Sequence, residues 1–255
     1  MSVKKLMDLT GKVALVTGGS RGLGLQIAEA LGEMGAKLAL TARKADELAQ
    51  AKAHLERMRV QVFTLTCDHG KAAGIQPVIE QIMRHYGQVD VLINNAAVCS
   101  TLSYKPFSEK GVKEWDNVMA VNVRGIFLSC KAVAATMKEQ KKGKIINISS
   151  GTAFKGRDNF LHYVTSKAVV LGLTRGLARE LGPYGITVNS FTPGHIMTEA
   201  HIIDDKEQQL MIAGQAIKRL ETPRDVVGTI IFLSSDASDF ITGQTIAVNG
   251  GSFMH

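Results

Sequence analysis

Seven apolar runs of strand length recur along the chain with segments of helical period between them, and this alternation restricts the fold more than any other feature. The runs are KVALVT from Lys12, KLALTA from Lys37, VQVFTLT from Val60, VDVLINN from Val89, GKIINIS from Gly143, ITVNSFT from Ile186 and QTIAVN from Gln244. Between them lie helical stretches: Leu23 to Met34, Asp46 to Met58, Ile75 to Tyr86, Glu114 to Gln140 and Val164 to Leu181. A helical crossover returns the chain to the same end of a sheet, so the strands it joins are parallel. Several runs are almost wholly apolar, as strands covered on both faces must be. The expected fold is α/β, a single domain over residues 1–255 with one doubly wound sheet of seven parallel strands and helices on both faces. Ligand is then expected at the carboxyl ends of the strands, where strand order reverses.

Composition narrows the function classes. Of 255 residues, 45% are hydrophobic and 21% charged, enough for a full core and inconsistent with disorder. No stretch reads as the ~20 apolar residues of a membrane span, and the start MSVKKLMDLTGK lacks the apolar core of a secretory signal, so a cytoplasmic chain is expected. Cys67, Cys99 and Cys130 are far apart and the 7 histidines are scattered, so neither a disulfide framework nor a metal site is expected. The net charge of +7 is spread along a chain with only 5% aromatic residues. That pattern argues against nucleic acid and fits an anionic small molecule.

The first strand runs into TGGSRGLG, in which Gly18, Gly22 and Gly24 lead directly into a helix. Glycines there permit a tight turn and let a pyrophosphate approach backbone N–H groups at a positive helix end. The spacing departs from both GxGxxG and the Walker pattern. The second strand ends in Thr41, Ala42 and Arg43, where an enzyme selecting NAD carries Asp or Glu for the ribose hydroxyls. Arg43 and Arg21 instead offer two guanidinium groups able to clamp a 2′-phosphate, so NADP(H) is the preferred cofactor and NAD(H) the lesser alternative. Each arginine alone would read as solvated surface. Asp68, ending the third strand, fits either a bond to the adenine amino group or a cap on the next helix. The small residues of NNAA, Asn94 to Ala97, would let backbone lie along a cofactor.

Tyr163 and Lys167 stand four residues apart on one helix face, where their heads converge. Ser150, at the end of IINISS, and Asn122, in MAVNVRG, project toward the same end of the sheet. A phenol has an ordinary pKa of ~10, so acid–base work near neutrality calls for a lower value, which a neighbouring ammonium and a cationic nicotinamide would supply. In this reading Tyr163 is the acid/base, Lys167 also holds the ribose hydroxyls, Ser150 bonds the carbonyl oxygen and Asn122 positions a water. A packed tyrosine beside a solvated lysine is the bland alternative.

Taken together, TGGSRGLG, Asp68, NNAA, Asn122, the Ser150, Tyr163 and Lys167 set, PGHIMT from Pro193 and TGQTIAVNGG resemble the short-chain dehydrogenase/reductase family from about Leu9 to Phe253. The resemblance implies a Rossmann sheet, hydride transfer at a bound nicotinamide, and the four catalytic roles above. It implies cofactor contacts from Gly18, Ser20, Arg21, Gly22, Leu23 and Gly24, from Arg43 and Asp68, and from Asn95, Ala96, Tyr163 and Lys167. Pro193, Gly194, the Ile196 backbone and the Thr198 hydroxyl complete the set. It further implies a substrate lid over about 198–223 and a homo-oligomer, tetramer or dimer. Helix residues Ala132, Ala134, Ala135, Ala168 and Gly172 would suit packing across a two-fold axis. Ala97 departs from the family's usual glycine. His162 and His195 are candidates for the pocket wall. The start of the chain is most similar to gluconate 5-dehydrogenases and related reductases of polyols, sugar acids and small keto acids. Tyr184 stands where 3-oxoacyl-carrier-protein reductases commonly carry arginine, which ranks that activity second. A non-catalytic NADPH-sensing protein is the rival from another class.

Overall fold

The structure is a computed structural model that describes residues 2–196 and 204–254. Seven parallel strands form one sheet: β1 Val13–Thr17, β2 Lys37–Ala42, β3 Val62–Thr66, β4 Val91–Asn94, β5 Gly143–Ile148, β6 Ile186–Pro193 and β7 Thr245–Val248, in the order β3-β2-β1-β4-β5-β6-β7. Strand order reverses between β1 and β4, which pair in parallel through Ala14, Leu15 and Val16. The expected strands are all present: β2 has the expected bounds, β6 runs one residue further to Pro193, and the other five are shorter by a residue or more.

Alternation along the strands divides the core. Ala14, Val16, Leu38, Leu40, Val91, Ile93, Ile146 and Ile148 point to one face, where α2 (Gly22–Glu33), α3 (Ala45–Arg57) and α10 (Pro223–Ser234) cover them. Leu15, Ala39, Leu92, Ile145 and Val188 point to the other, beneath α4 (Ala72–Tyr86), α6 (Gly125–Gln140) and α8 (Leu161–Leu181). A short α1 (Val3–Leu6) precedes β1, and α5 (Val112–Met119) precedes α6.

Two helical features differ from expectation. The sequence reading leaves the stretch after Pro223 unassigned, yet it forms α10. Pro223 stands in its first turn, and Asp225 accepts hydrogen bonds from the Thr222 N–H at 2.8 Å and the Thr222 hydroxyl at 2.7 Å. The expected continuous helix from Glu114 to Gln140 is interrupted at Ala120–Arg124 by a π-helical turn that carries Asn122. By length and composition Val112–Gln140 is apolar enough to cross a membrane. Its residues Ile126, Cys130, Val133 and Met137 are instead buried against the sheet and α4.

Candidate functional site

The carboxyl ends of the strands open into a cleft of about 700 Å³. Its two ends have different chemistry. At one end the β1–α2 turn is built for close approach. Gly18 and Gly22 have φ of +66° and +55°, conformations that L side chains rarely adopt. A Cβ on Gly24 would collide with the Gly18 carbonyl and with the Asn95 amide nitrogen. Asn95 holds this turn by donating to the carbonyls of Thr17 at 3.0 Å and Gly18 at 3.1 Å, while the Thr17 hydroxyl accepts from the Asn95 and Ala96 N–H groups. The turn, the positive end of α2 and the adjoining cleft therefore fit a pyrophosphate on geometry alone.

Gly18, Ser20, Arg21, Gly22, Leu23, Gly24, Arg43, Asp68, Asn95, Ala96, Tyr163, Lys167, Pro193, Gly194 and Ile196 all line the cleft. Thr198 and the first part of the expected flap lie outside the described residues. The described part contains α9 (Asp205–Ala213), which brings Leu210 and Met211 to the cleft. Asp68 accepts from the Gly70 N–H at 3.0 Å and so closes a turn ahead of α4 rather than capping that helix, whose N-cap is Lys71. Ala97 is exposed on the cleft wall.

The arginine end holds two residues that the sequence reading passed over, Lys44 and Glu47. Lys44 bonds Glu47 at 2.9 Å, the Ser20 hydroxyl donates to it at 3.2 Å, and the Arg21 guanidinium lies 3.8 Å away. The Lys44 bond, aided by the charge of Arg21, holds the Glu47 carboxyl below its ordinary value against a smaller cost of burial. Arg43 has no carboxylate partner among the described residues. Arg21 and Lys44 beside Glu47, with Arg43 on the same stretch of cleft wall, leave this corner net positive.

Toward the other end, α8 presents Tyr163 and Lys167 on one buried face. The Lys167 ammonium donates to the Ile148 carbonyl at 2.8 Å and lies 5.7 Å from the Tyr163 ring centroid. Ser150, two residues beyond β5, hydrogen-bonds Tyr163. The expected lowering of the phenol is absent in the protein alone. Burial drives the Tyr163 pKa well above 10, Cys99 beside it adds to the rise, and the bond with Ser150 offsets only part. Burial also brings Lys167 down to about 8. Spacing on a helix reveals proximity but not desolvation.

Asn122 is fully buried. Its Oδ1 accepts from the Val98 N–H at 2.8 Å, and its Nδ2 donates to the Val98 carbonyl at 3.2 Å and the Ser166 hydroxyl at 3.0 Å. These bonds tie the loop after β4 to α8 through the widened turn, a local geometry frequent at functional sites. Behind it, Asn94 donates to Asn147 at 2.8 Å and Asn147 to Thr174 at 3.0 Å, which fixes β4, β5 and α8 together. Of the two candidate histidines, His195 lines the cleft. His162 is turned away from it, accepting from the Tyr163 N–H at 2.9 Å and meeting Glu114 at 3.2 Å.

Beneath the Pro193 to Ile196 turn sits a carboxylate that no motif marks. Glu221 is 6% exposed, and neither oxygen has a well-formed hydrogen bond among the described residues. Burial raises its pKa to about 7, with partial relief from the Gly194 N–H. The folded chain thus holds this proton more tightly than the unfolded one, and stability falls as pH rises from 4.5 to about 7. Glu221→Gln is expected to remove that slope and to stabilise the protein by about 1–3 kcal/mol at pH 8, with little change at pH 4. Urea melts at the two pH values test this; equal effects at both would contradict it.

The family model for short chain dehydrogenases matches residues 12–209. A 3-oxoacyl-acyl-carrier-protein reductase of Staphylococcus epidermidis is 36% identical over 245 residues, 95% of this chain and 99% of that protein. A 5-keto-D-gluconate 5-reductase of Escherichia coli is 37% identical over 255 residues, 98% of each chain. Among solved structures, a blue fluorescent protein from a metagenomic library, in complex with NADPH, matches with a TM-score of 0.89 at 35% identity, covering 97% of this chain and 100% of that one. Relatives aligned over nearly the whole chain, and a family match running from β1 into α9, place this protein in the short chain dehydrogenase family, among oxidoreductases of alcohol and carbonyl groups.

Proposed function

We propose that the protein is an NADP(H)-dependent carbonyl reductase acting between a ketone and its secondary alcohol, on substrates of the small keto-acid, sugar-acid or polyol type. The observation that carries this reading is the joining, in one cleft, of a glycine cradle with a net positive corner to a buried Tyr163, Ser150 and Lys167 cluster. NADP(H), when bound, supplies or takes up the hydride.

The residues of the chain do the rest. Ser150 bonds the substrate carbonyl oxygen and orients it toward Tyr163. Tyr163 gives its proton to that oxygen as negative charge develops there. A phenol kept protonated by burial is in the correct form for reduction, the direction we assign. Lys167, anchored on the Ile148 carbonyl, holds the ribose hydroxyls and places positive charge near the phenolate left behind. Asn122, whose side chain ties Val98 to Ser166, would position the relay water. Thr198 would add a hydroxyl to the cofactor's carboxamide, beside the Ile196 backbone.

The positive corner supports NADP(H) over NAD(H). Arg43→Ala is expected to weaken NADPH binding about tenfold to a hundredfold, the worth of one charge-assisted bond, and to leave NADH within threefold. Fluorescence titration with both cofactors checks this; tighter binding of NADH by the unaltered protein would contradict the preference. A panel of ketones followed by NADPH absorbance then tests the activity, and silence across the panel would favour the NADPH-sensing rival.

A second reading, reduction of a 3-oxoacyl group on its carrier protein, draws on the staphylococcal relative and on Lys138, whose ammonium lies 4.5 Å over the Tyr184 ring. That cation stands close to the place where Tyr184 replaces the expected arginine. Faster turnover of a carrier-bound 3-oxoacyl chain than of free keto acids would favour it.

We place the enzyme in the cytoplasm, where its free thiols Cys67, Cys99 and Cys130 would stay reduced. The exposed Phe127 and Val169, with Ala135, Ala168 and Gly172 also at the surface, support self-association through α6 and α8.

A further inference from the structure

Between Ser150 and Tyr163 the chain makes a loop that no motif covers. It contains α7 (Thr152–Lys155) and then Arg157, which lines the cleft. The Arg157 guanidinium carbon lies 4.9 Å from the Tyr104 ring centroid and 5.8 Å from that of Phe160. Those two rings stack on each other at 4.6 Å, and Phe160 packs against Tyr163 at 4.8 Å. The cation therefore sits no farther from the proton donor than two ring contacts. Its orientation is set by aromatic faces, an arrangement that reduces the entropy lost when the fork engages a ligand.

One carboxylate is already seated on that fork. Glu207, on α9, accepts from Nη2 of Arg157 at 2.9 Å, with both side chains about one-third exposed. The other guanidinium nitrogens have no protein acceptor among the described residues, so four of the five N–H donors of the group are left for a second set of acceptor oxygens. Lys155 lines the same region of the cleft and adds positive charge. Glu207 comes from a surface helix with no buried residue, so moving it disturbs no packed core.

We propose that Arg157 is the subsite for a carboxylate carried by the substrate, and that Glu207 occupies this site until the substrate's own carboxylate exchanges with it. The proposal rests on the carbonyl-reductase reading and narrows it: the preferred substrates are keto acids rather than neutral ketones or polyols. Arg157 is thereby a specificity-determining residue, and the exchange couples arrival of an acid to release of α9 from the loop that carries Ser150.

The test uses 5-oxohexanoate and its methyl ester as substrates, and hexanoate and hexanamide as ligands that cannot be reduced, all with the full chain and NADPH. The unaltered protein is expected to prefer the acid over the ester in kcat/KM at least tenfold. Arg157→Met, which keeps the apolar stem over the rings, is expected to erase that preference through KM and leave the ester within threefold. By calorimetry the same substitution is expected to weaken hexanoate tenfold or more and leave hexanamide unchanged. Glu207→Gln is expected to act oppositely and tighten hexanoate. Equal binding of hexanoate and hexanamide to the unaltered protein, or an equal loss of both in Arg157→Met, would overturn the proposal. Should hexanoate binding follow Arg157 while neither ketone is reduced, the subsite stands and the reductase reading falls.

Discussion

Replacement of Tyr163 by phenylalanine is expected to lower kcat for ketone reduction by about 10²–10⁴-fold, the usual worth of a positioned acid, with NADPH affinity changed by no more than a few-fold. Phenylalanine keeps the ring that packs at 4.8 Å against Phe160 and within the small cluster of Val98, Leu102 and Val118. The fold and the cleft are thus preserved. What disappears is the single hydroxyl that hydrogen-bonds Ser150 and, in the proposed reaction, protonates the substrate oxygen. Ser150 cannot replace it as an acid, since an aliphatic hydroxyl holds its proton far more tightly than a phenol. Steady-state kinetics with a thermal melt to confirm folding provide the check. A kcat within threefold of the unaltered enzyme would remove Tyr163 from the chemistry.

Lys167→Met separates catalysis from stability. Turnover is expected to fall about 10²-fold or more, because the charge beside the phenol is lost. Stability moves differently. Lys167 is 3% exposed and burial depresses its pKa from 10.5 to about 8, so the unfolded chain binds more protons between those values. Stability therefore rises with pH across the window from about 8 to 10.5, and below pH 8 the full cost of the buried cation, about 3 kcal/mol, is present. Methionine removes that cost but leaves the Ile148 carbonyl without its donor, a loss of about 1–3 kcal/mol. The variant is expected to melt no lower than the unaltered protein at pH 7 and to lose the rise above pH 8. Thermal melts from pH 7 to 10 read both effects. A large destabilisation at pH 7 with an undiminished rise above pH 8 would show that Lys167 is not the buried titrating group.

These two residues also show how far the sequence carries. Their four-residue spacing sufficed to place both heads on one face of α8, and the runs of Val, Ile and Leu sufficed for the strands, since double coverage demands apolar residues throughout. The β1–α2 turn was legible because Gly18 and Gly22 need left-handed backbone and Gly24 needs the absence of a Cβ. The charge state of Tyr163 was not legible. It depends on burial and on Cys99, a residue 64 positions away in the chain that only the fold brings near. Glu47 was likewise hidden, because a carboxylate on α3 reads as an ordinary first-turn residue until Lys44, Ser20 and Arg21 are seen around it. Arg157 and Glu221 owe their surroundings to contacts with α9 and with the Pro193 turn, which leave no periodic trace. The π turn at Asn122 arises the same way, through bonds to Val98 and Ser166.

In the proposed reaction hydride reaches a carbonyl carbon from the nicotinamide while Tyr163 protonates the oxygen. Incubation with NADPH deuterated at nicotinamide C4 and a 5-keto acid in ordinary water, followed by mass spectrometry of the alcohol, reads this directly. One deuterium is expected, bonded to the new carbinol carbon. Reduced product carrying no deuterium from either face of the labelled ring, or no alcohol at all from a protein that binds NADPH, would contradict it.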